Sequence, residues 1–291
     1  MANCRRGSTG LAIGGLPPIT TTIVKPIVLL SLTGAVLSLF FLWISSNSSR
    51  VGLHIGGWRR PMTESAGGGG GVPAETMPPP RAFILWLHGL GDSGPANEPI
   101  KSFFTSREFS ATRWSFPSAP VMPVSCNGGI SMPSWFDIHE IPIAADAPKD
   151  EEGVMKAVQN VHRIIDNEVA AGVPPENIFL CGFSQGGALT LASVLLYPRR
   201  LGGGAIFSGW VPFNSSIIEK IPQDAKKTPI IWSHGMADKT VLFEAGQAGP
   251  PFLQAAGIVS CEFKAYPGLA HSISTKELQS LESWIKSRLR T

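Results

Sequence analysis

The stretch Ile178-Phe179-Leu180-Cys181-Gly182-Phe183-Ser184-Gln185-Gly186-Gly187 decides the fold. Its first four residues are an apolar run that reads as a buried strand, and 188–197 reads as a helix. Between them lies Gly-x-Ser-x-Gly. A serine on a sharp strand-to-helix turn sits in strained backbone geometry, so the residues two before and two after it must lack bulk. Gly182 and Gly186 supply that space. The turn lifts the Ser184 hydroxyl clear of the sheet and directs the positive end of the following helix towards it. A chain with 32 glycines can produce this pattern by chance, and the flanking strand and helix are what argue against chance here.

Such a turn is the nucleophile elbow of α/β-hydrolases, and a lone serine is a poor nucleophile. It needs a base and an orienting acid, which in this fold follow in the order Ser, Asp or Glu, His. Two histidines lie downstream, His234 and His271. His271 falls in the loop 266–272, between a short strand (261–265) and a terminal helix, where an imidazole is presented at the sheet edge. His234 ends the run Pro229-Ile230-Ile231-Trp232-Ser233 and reads as a strand-end residue before a turn. The acid falls at Asp238, in the loop after that strand, with Asp224 as a competitor in a polar stretch before it. Position favours Asp238, because catalytic groups in open α/β sheets follow the carboxyl ends of strands. In this assignment His271 takes the proton from Ser184, while Asp238 fixes the tautomer and stabilises the imidazolium.

The chemistry also needs donors for a developing oxyanion. One is the backbone N–H of the residue after the nucleophile, Gln185. The second is expected from the loop His88-Gly89-Leu90-Gly91-Asp92-Ser93-Gly94 after the strand 83–87, from Leu90. His88 and Asp92 read as loop-bracing residues.

These motifs occur together with Ser134-Trp135-Phe136-Asp137, Ser208-Gly209-Trp210-Val211-Pro212, His234-Gly235 and His271-Ser272. In this order the set resembles the acyl-protein thioesterase family, which also contains small carboxylesterases and lysophospholipases, and it is most similar to the plant carboxylesterase branch. The resemblance runs from about Arg81 to the C-terminus. It implies a serine hydrolase without a cofactor, with Ser184, Asp238 and His271 in the triad positions and Leu90 and Gln185 in the oxyanion positions. Trp135 and Trp210 would line or border an acyl channel. Substrates would be an acylated protein or a small acyl ester, with lysophospholipids as a variant. A departure is Lys239-Thr240-Val241-Leu242 after Asp238, where many members carry a Pro-Leu-Val-Pro-like segment. The apolar stretch 135–147 reads either as a flap beside the acyl site or as a core-packing strand.

The remaining sequence fits an α/β fold with a mostly parallel sheet covered by helices on both faces. Val154, Val158, Val161, Ile165 and Val169 mark 151–171 as an amphipathic helix. The strand at 204–208 is short and apolar without polar alternation, as a strand covered on both faces should be. Leu278, Leu281, Trp284, Ile285 and Leu289 give the last helix a buried stripe. The catalytic domain is expected over 81–291.

The first eighty residues differ. The run 27–44 carries no charge and would span about 27 Å as a helix, so it reads as a membrane anchor, with a cleaved signal or transit segment as the rival. Arg50, Arg59 and Arg60 after the run, against Lys25 before it, lean towards a cytosolic catalytic domain, and secretory or organellar placement is the alternative. Residues 46–80, with Gly67 to Gly71 and Pro78-Pro79-Pro80, read as a tether. Four scattered cysteines give no disulfide framework, and no Cys/His cluster has metal-ligand spacing. A net charge of +3 is too small to argue for nucleic acid. The sequence leaves the oligomeric state open. A ligand-binding protein using the same pocket without turnover is the alternative of a different class.

Overall fold

The computed structural model describes residues 82–289. Six parallel strands form one sheet: β1 (Ala82–Leu87), β2 (Thr112–Ser115), β5 (Ile178–Phe183), β6 (Gly203–Phe207), β7 (Ile230–Gly235) and β8 (Cys261–Tyr266), in the order β2-β1-β5-β6-β7-β8. Two further strands, β3 (Val121–Val124) and β4 (Ile130–Pro133), pair antiparallel as a separate hairpin.

The inner strands are buried along their whole length, the pattern of a parallel sheet covered on both faces. Strand alternation divides β1 between two cores. Phe83, Leu85 and Leu87 join one face with Val154, Val158, Val161 and Ile165 of the long helix Glu151–Ala170. Ile84 and Trp86 join the other with Leu278, Leu281, Trp284 and Ile285 of the terminal helix Thr275–Lys286. Each large side chain buried this way is worth about 1.5–3 kcal/mol. The Asp150 carboxylate caps the long helix by accepting from the Gly153 N–H, and Ser274 with Glu277 forms a capping box on the terminal helix.

The chain builds β1, turns outward to β2, then returns to the other side of β1 and proceeds outward from β5. Connections leave the neighbouring strands β1 and β5 in opposite directions, which opens a crevice beyond their carboxyl ends. Ser184 and the 88–94 loop both lie at that point.

Two expectations change. The segment 135–147 is irregular and forms no strand. Phe136, Ile138 and Ile143 are buried in the core, and one parallel bridge ties Ile143 to Val241. The transmembrane helix expected over 27–44 is corrected. A run of that length reaches bilayer thickness only as one continuous helix, and among the described residues no helix is long and apolar enough to cross a membrane. The segment itself, with the tether over 46–80, lies outside the described residues, and the anchor and the orientation drawn from it are withdrawn.

Candidate active site

Ser184 follows β5 and immediately precedes the buried helix Gln185–Leu196. Its backbone stands at φ 55°, ψ −120°, a conformation that costs a non-glycine residue about 1–3 kcal/mol. Two hydrogen bonds hold it, from the Ser184 N–H to the Phe207 carbonyl (2.8 Å) and from the Ala188 N–H to the Ser184 carbonyl (3.0 Å). The flanking glycines are sterically required. A Cβ on Gly182 would lie 2.2 Å from the Gly186 oxygen, and one on Gly186 would lie 2.0 Å from the Leu87 oxygen.

The Ser184 hydroxyl is 2.9 Å from His271 Nε2, and His271 Nδ1 is 2.7 Å from Asp238 Oδ2. The assigned nucleophile, base and acid therefore form one continuous relay. His271 stands on the loop after β8, with the Phe183 ring 4.7 Å from its own. Asp238 stands on the loop after β7, where its Oδ1 accepts from the Thr240 N–H (2.8 Å) and the Val241 N–H (3.0 Å). Burial is the largest single influence on this carboxyl and pushes its pKa up. The His271 hydrogen bond and charge, with the two backbone donors, outweigh it and hold the group below the usual carboxylate range. Asp224, by contrast, forms an exposed ion pair with Lys227 (2.7 Å).

The departure after Asp238 has a structural counterpart. The Thr240 carbonyl accepts from Ile143 N–H (2.8 Å), and the Leu242 N–H donates to the Ile143 carbonyl (2.9 Å). The acid's loop is thereby stitched to the irregular 135–147 segment.

The N–H of Gln185 is the first of its helix, where no carbonyl four residues back is available. That of Leu90 makes no hydrogen bond among the described residues. Both stand at the crevice. His88 is buried, its Nδ1–H donating to the Gly89 carbonyl (2.7 Å) and its Nε2 accepting from the Ala119 N–H (3.0 Å). Burial lowers its pKa despite the Gly89 contact, so it braces the loop as a neutral ring. Asp92 accepts from the Ser93 N–H and the Asn97 side-chain amide within the same loop.

Trp135 lies half-buried against this loop, its indole N–H donating to the His88 carbonyl (2.9 Å) and its ring 5.0 Å from the His88 ring. Trp210 is buried and packs edge-on to Phe136 at 6.1 Å. Phe136, Ile138, Ile143, Val154 and Trp210, together with the charged Asp137, Glu140, Lys149 and Asp150, line a narrow crevice at the 135–147 segment. Among the described residues no three His, Cys, Asp or Glu side chains converge as metal ligands would.

Two contacts escaped sequence reasoning. His234 is fully buried behind Asp238; its Nε2–H donates to the Val241 carbonyl (3.0 Å) and lies 3.6 Å from Asp238 Oδ2. Its only sequence signal is its place at a strand end four residues before the acid. The Gln185 side chain, also fully buried, bonds to residues 134–136, and spacing alone gives no sign of it.

Residues 74–289 match the phospholipase/carboxylesterase family. The chain is 68% identical to a probable carboxylesterase of Oryza sativa over 76% of this chain and 85% of that protein. It is 36% identical to acyl-protein thioesterase 1 of Cryptococcus neoformans over 72% of this chain and 93% of that protein. The crystal structure of SOBER1 of Arabidopsis thaliana is similar with a TM-score of 0.71 and 66% identity, over 72% of this chain and 99% of that one.

Proposed function

The chain belongs to the phospholipase/carboxylesterase family, a hydrolase of carboxylic esters or thioesters, and on that premise we propose that Ser184, His271 and Asp238 carry its chemistry through an acyl-enzyme. The observation that carries this reading is the relay of 2.9 and 2.7 Å from the serine hydroxyl through the imidazole to the buried carboxylate. Residues 81–291 are the catalytic unit in this reading.

The acyl carbonyl enters the crevice between the β1 and β5 loops. His271 Nε2 takes the hydroxyl proton as Ser184 Oγ bonds to the carbonyl carbon, and the carbonyl electron pair moves onto oxygen. The N–H groups of Leu90 and Gln185 stabilise that oxyanion, and the positive end of the helix beginning at Gln185 adds to them. His271 then returns the proton to the departing alcohol or thiol as its bond to carbon breaks. A water molecule repeats the sequence on the acyl-enzyme: His271 deprotonates it, and Ser184 leaves with the proton. Asp238, ionised by its environment, keeps Nδ1 protonated so that Nε2 is the basic nitrogen throughout.

The substrate proposed is an acylated protein or a small acyl ester, its acyl tail bordered by Trp135 and Trp210. The thioesterase among the relatives supports the first and the probable carboxylesterase the second. The experiment is labelling of the purified full-length chain with a fluorophosphonate, followed by hydrolysis of p-nitrophenyl esters and thioesters of increasing acyl length. Label on Ser184, with turnover lost in Ser184→Ala, is the expected result; a folded Ser184→Ala protein with near-normal turnover removes Ser184 as nucleophile.

A further inference from the structure

We propose that the side chain of Gln185, in addition to its backbone N–H, is a positioning group that fixes the distance between the two oxyanion donors. The inference rests on the serine-hydrolase reading above. The two donors come from loops far apart in sequence, and a developing oxyanion has to sit about 2.7–3.1 Å from both. Something must hold one loop to the other.

The Gln185 amide is fully buried and spans to the segment after β4. Its Oε1 accepts from the Trp135 N–H (3.1 Å), and its Nε2 donates to Ser134 Oγ (2.8 Å) and to the Phe136 carbonyl (2.6 Å). Ser134 Oγ also donates to the Phe136 carbonyl (2.6 Å). The amide orientation follows from this network. Reversed, its NH2 would face the Trp135 N–H and its oxygen the Phe136 oxygen.

The segment thus held reaches across to the other donor loop on both sides of Leu90. The Trp135 indole donates to the His88 carbonyl (2.9 Å), and the Gly91 N–H donates to the Pro133 carbonyl (2.8 Å). The Leu90 N–H lies between these two anchors. The loop's other bonds, from His88 to Gly89 and to Ala119 and from the Asp92 N–H to Gly89, shape the loop and tie it towards residue 119. They do not reach the elbow. The hydrogen-bonded path between the two donors runs Gln185, Trp135, His88, with a parallel branch through Pro133 and Gly91.

Serving only to fill core space would not require an amide in one orientation, and a methionine would serve. The test uses full-length Gln185→Met, Trp135→Phe (which keeps a ring and deletes the N–H) and the double variant. The readouts are kcat and KM on a p-nitrophenyl ester, and Ki for a boronic acid that forms a tetrahedral adduct on Ser184. Outright loss of one oxyanion donor costs about two to three decades in rate, and a displaced donor costs less. In Gln185→Met kcat is expected to fall about 10–100-fold and Ki to rise in parallel, with KM within about threefold, while Trp135→Phe, which leaves the Pro133–Gly91 branch intact, loses less in kcat. The double variant should be within about threefold of the poorer single one, because both cut the same path.

Unchanged kcat and Ki in folded Gln185→Met overturns the inference, as does a rise in KM with kcat intact or full multiplication of losses in the double variant. If Gln185→Met does not fold, Gln185→Glu, which keeps the Oε1 acceptor and loses the two Nε2 donors, decides, and unchanged kcat and Ki there have the same force. Ser184→Ala separates the two readings. Turnover surviving in it removes Ser184 as nucleophile and with it the serine-hydrolase reading, whereas its loss alongside a normal Gln185→Met defeats only the positioning role.

Discussion

Replacing Asp238 by asparagine tests the acid in a way that preserves shape. Asp238 uses Oδ1 for two backbone donors, Thr240 and Val241, and Oδ2 for His271 Nδ1. An asparagine can keep its oxygen on the two N–H groups, which turns its NH2 towards His271. The imidazole must then accept at Nδ1 and carry its proton on Nε2, facing the Ser184 hydroxyl it should deprotonate. The opposite rotamer restores the histidine tautomer but sets an NH2 against two buried N–H donors, at about 1–3 kcal/mol for each unsatisfied group. The first rotamer is therefore favoured. The wrong tautomer costs about four orders of magnitude in kcat where an aspartate orients a catalytic histidine, equivalent to about 5.4 kcal/mol of barrier. The assay is p-nitrophenyl ester turnover beside thermal melting, with Asp224→Asn as the control expected to behave as the parent. A folded Asp238→Asn protein that loses less than tenfold in kcat, or a crippled Asp224→Asn, would refute the assignment.

Other outcomes follow from the geometry. Gly186→Ala should destabilise towards the upper end of the roughly 1–3 kcal/mol usual for overpacking, because the atoms its Cβ meets are the Leu87 and His88 backbone; a melting curve matching the parent contradicts this packing. Ser208 is fully buried at φ 47°, with a hydroxyl that has no partner among the described residues. Ser208→Ala should raise stability by about 1 kcal/mol, and a lower melting temperature would mean that the hydroxyl is satisfied. Burial lowers the pKa of His88, His162 and His234 below the ordinary value of about 6.5. The unfolded chain therefore binds protons first, so stability is full above about pH 6.5 and declines as pH falls below it. His162 lies away from the site and bonds to the Ser193 carbonyl. His162→Gln should make that decline shallower, and an equally steep fall in melting temperature from pH 7 to 5 speaks against the linkage.

The elements legible in sequence were those whose burial writes itself into a local pattern. β1, β5, β6, β7 and the long helix have uninterrupted or periodic apolar runs, and the residue proposed as acid follows the end of one of them, β7. β2, β3 and β4 went unread. Thr112-Arg113-Trp114-Ser115 is a half-exposed edge strand, and the β3–β4 hairpin includes Pro123 and leaves Val121 and Ile130 exposed, so neither has a run to find. The elbow helix was read from 188, because Gly186 and Gly187 are poor helix formers. It begins at Gln185, and close backbone approach at Leu87 demands the glycine at 186 in its first turn. In 135–147 the apolar residues do mark burial, but Pro142 and a single bridge to Val241 leave no ladder to make a strand. The side-chain contacts of His234 and Gln185 join positions that neighbour each other only after folding, and nothing local announces them.

The groups proposed to react stand on loops after four different parallel strands, β1, β5, β7 and β8, and the spacing between them is set by the backbone ladder of the sheet. The excursion between β6 and β7 carries none of them, whereas the segment beyond Phe136 is tied through Ile143 to the loop of Asp238. A lineage can therefore lengthen, shorten or recolour the β6–β7 excursion and explore new substrates while the reaction centre is inherited unaltered. The sheet acts as a fixed chassis, and evolvability is concentrated in the connection that the chemistry leaves free.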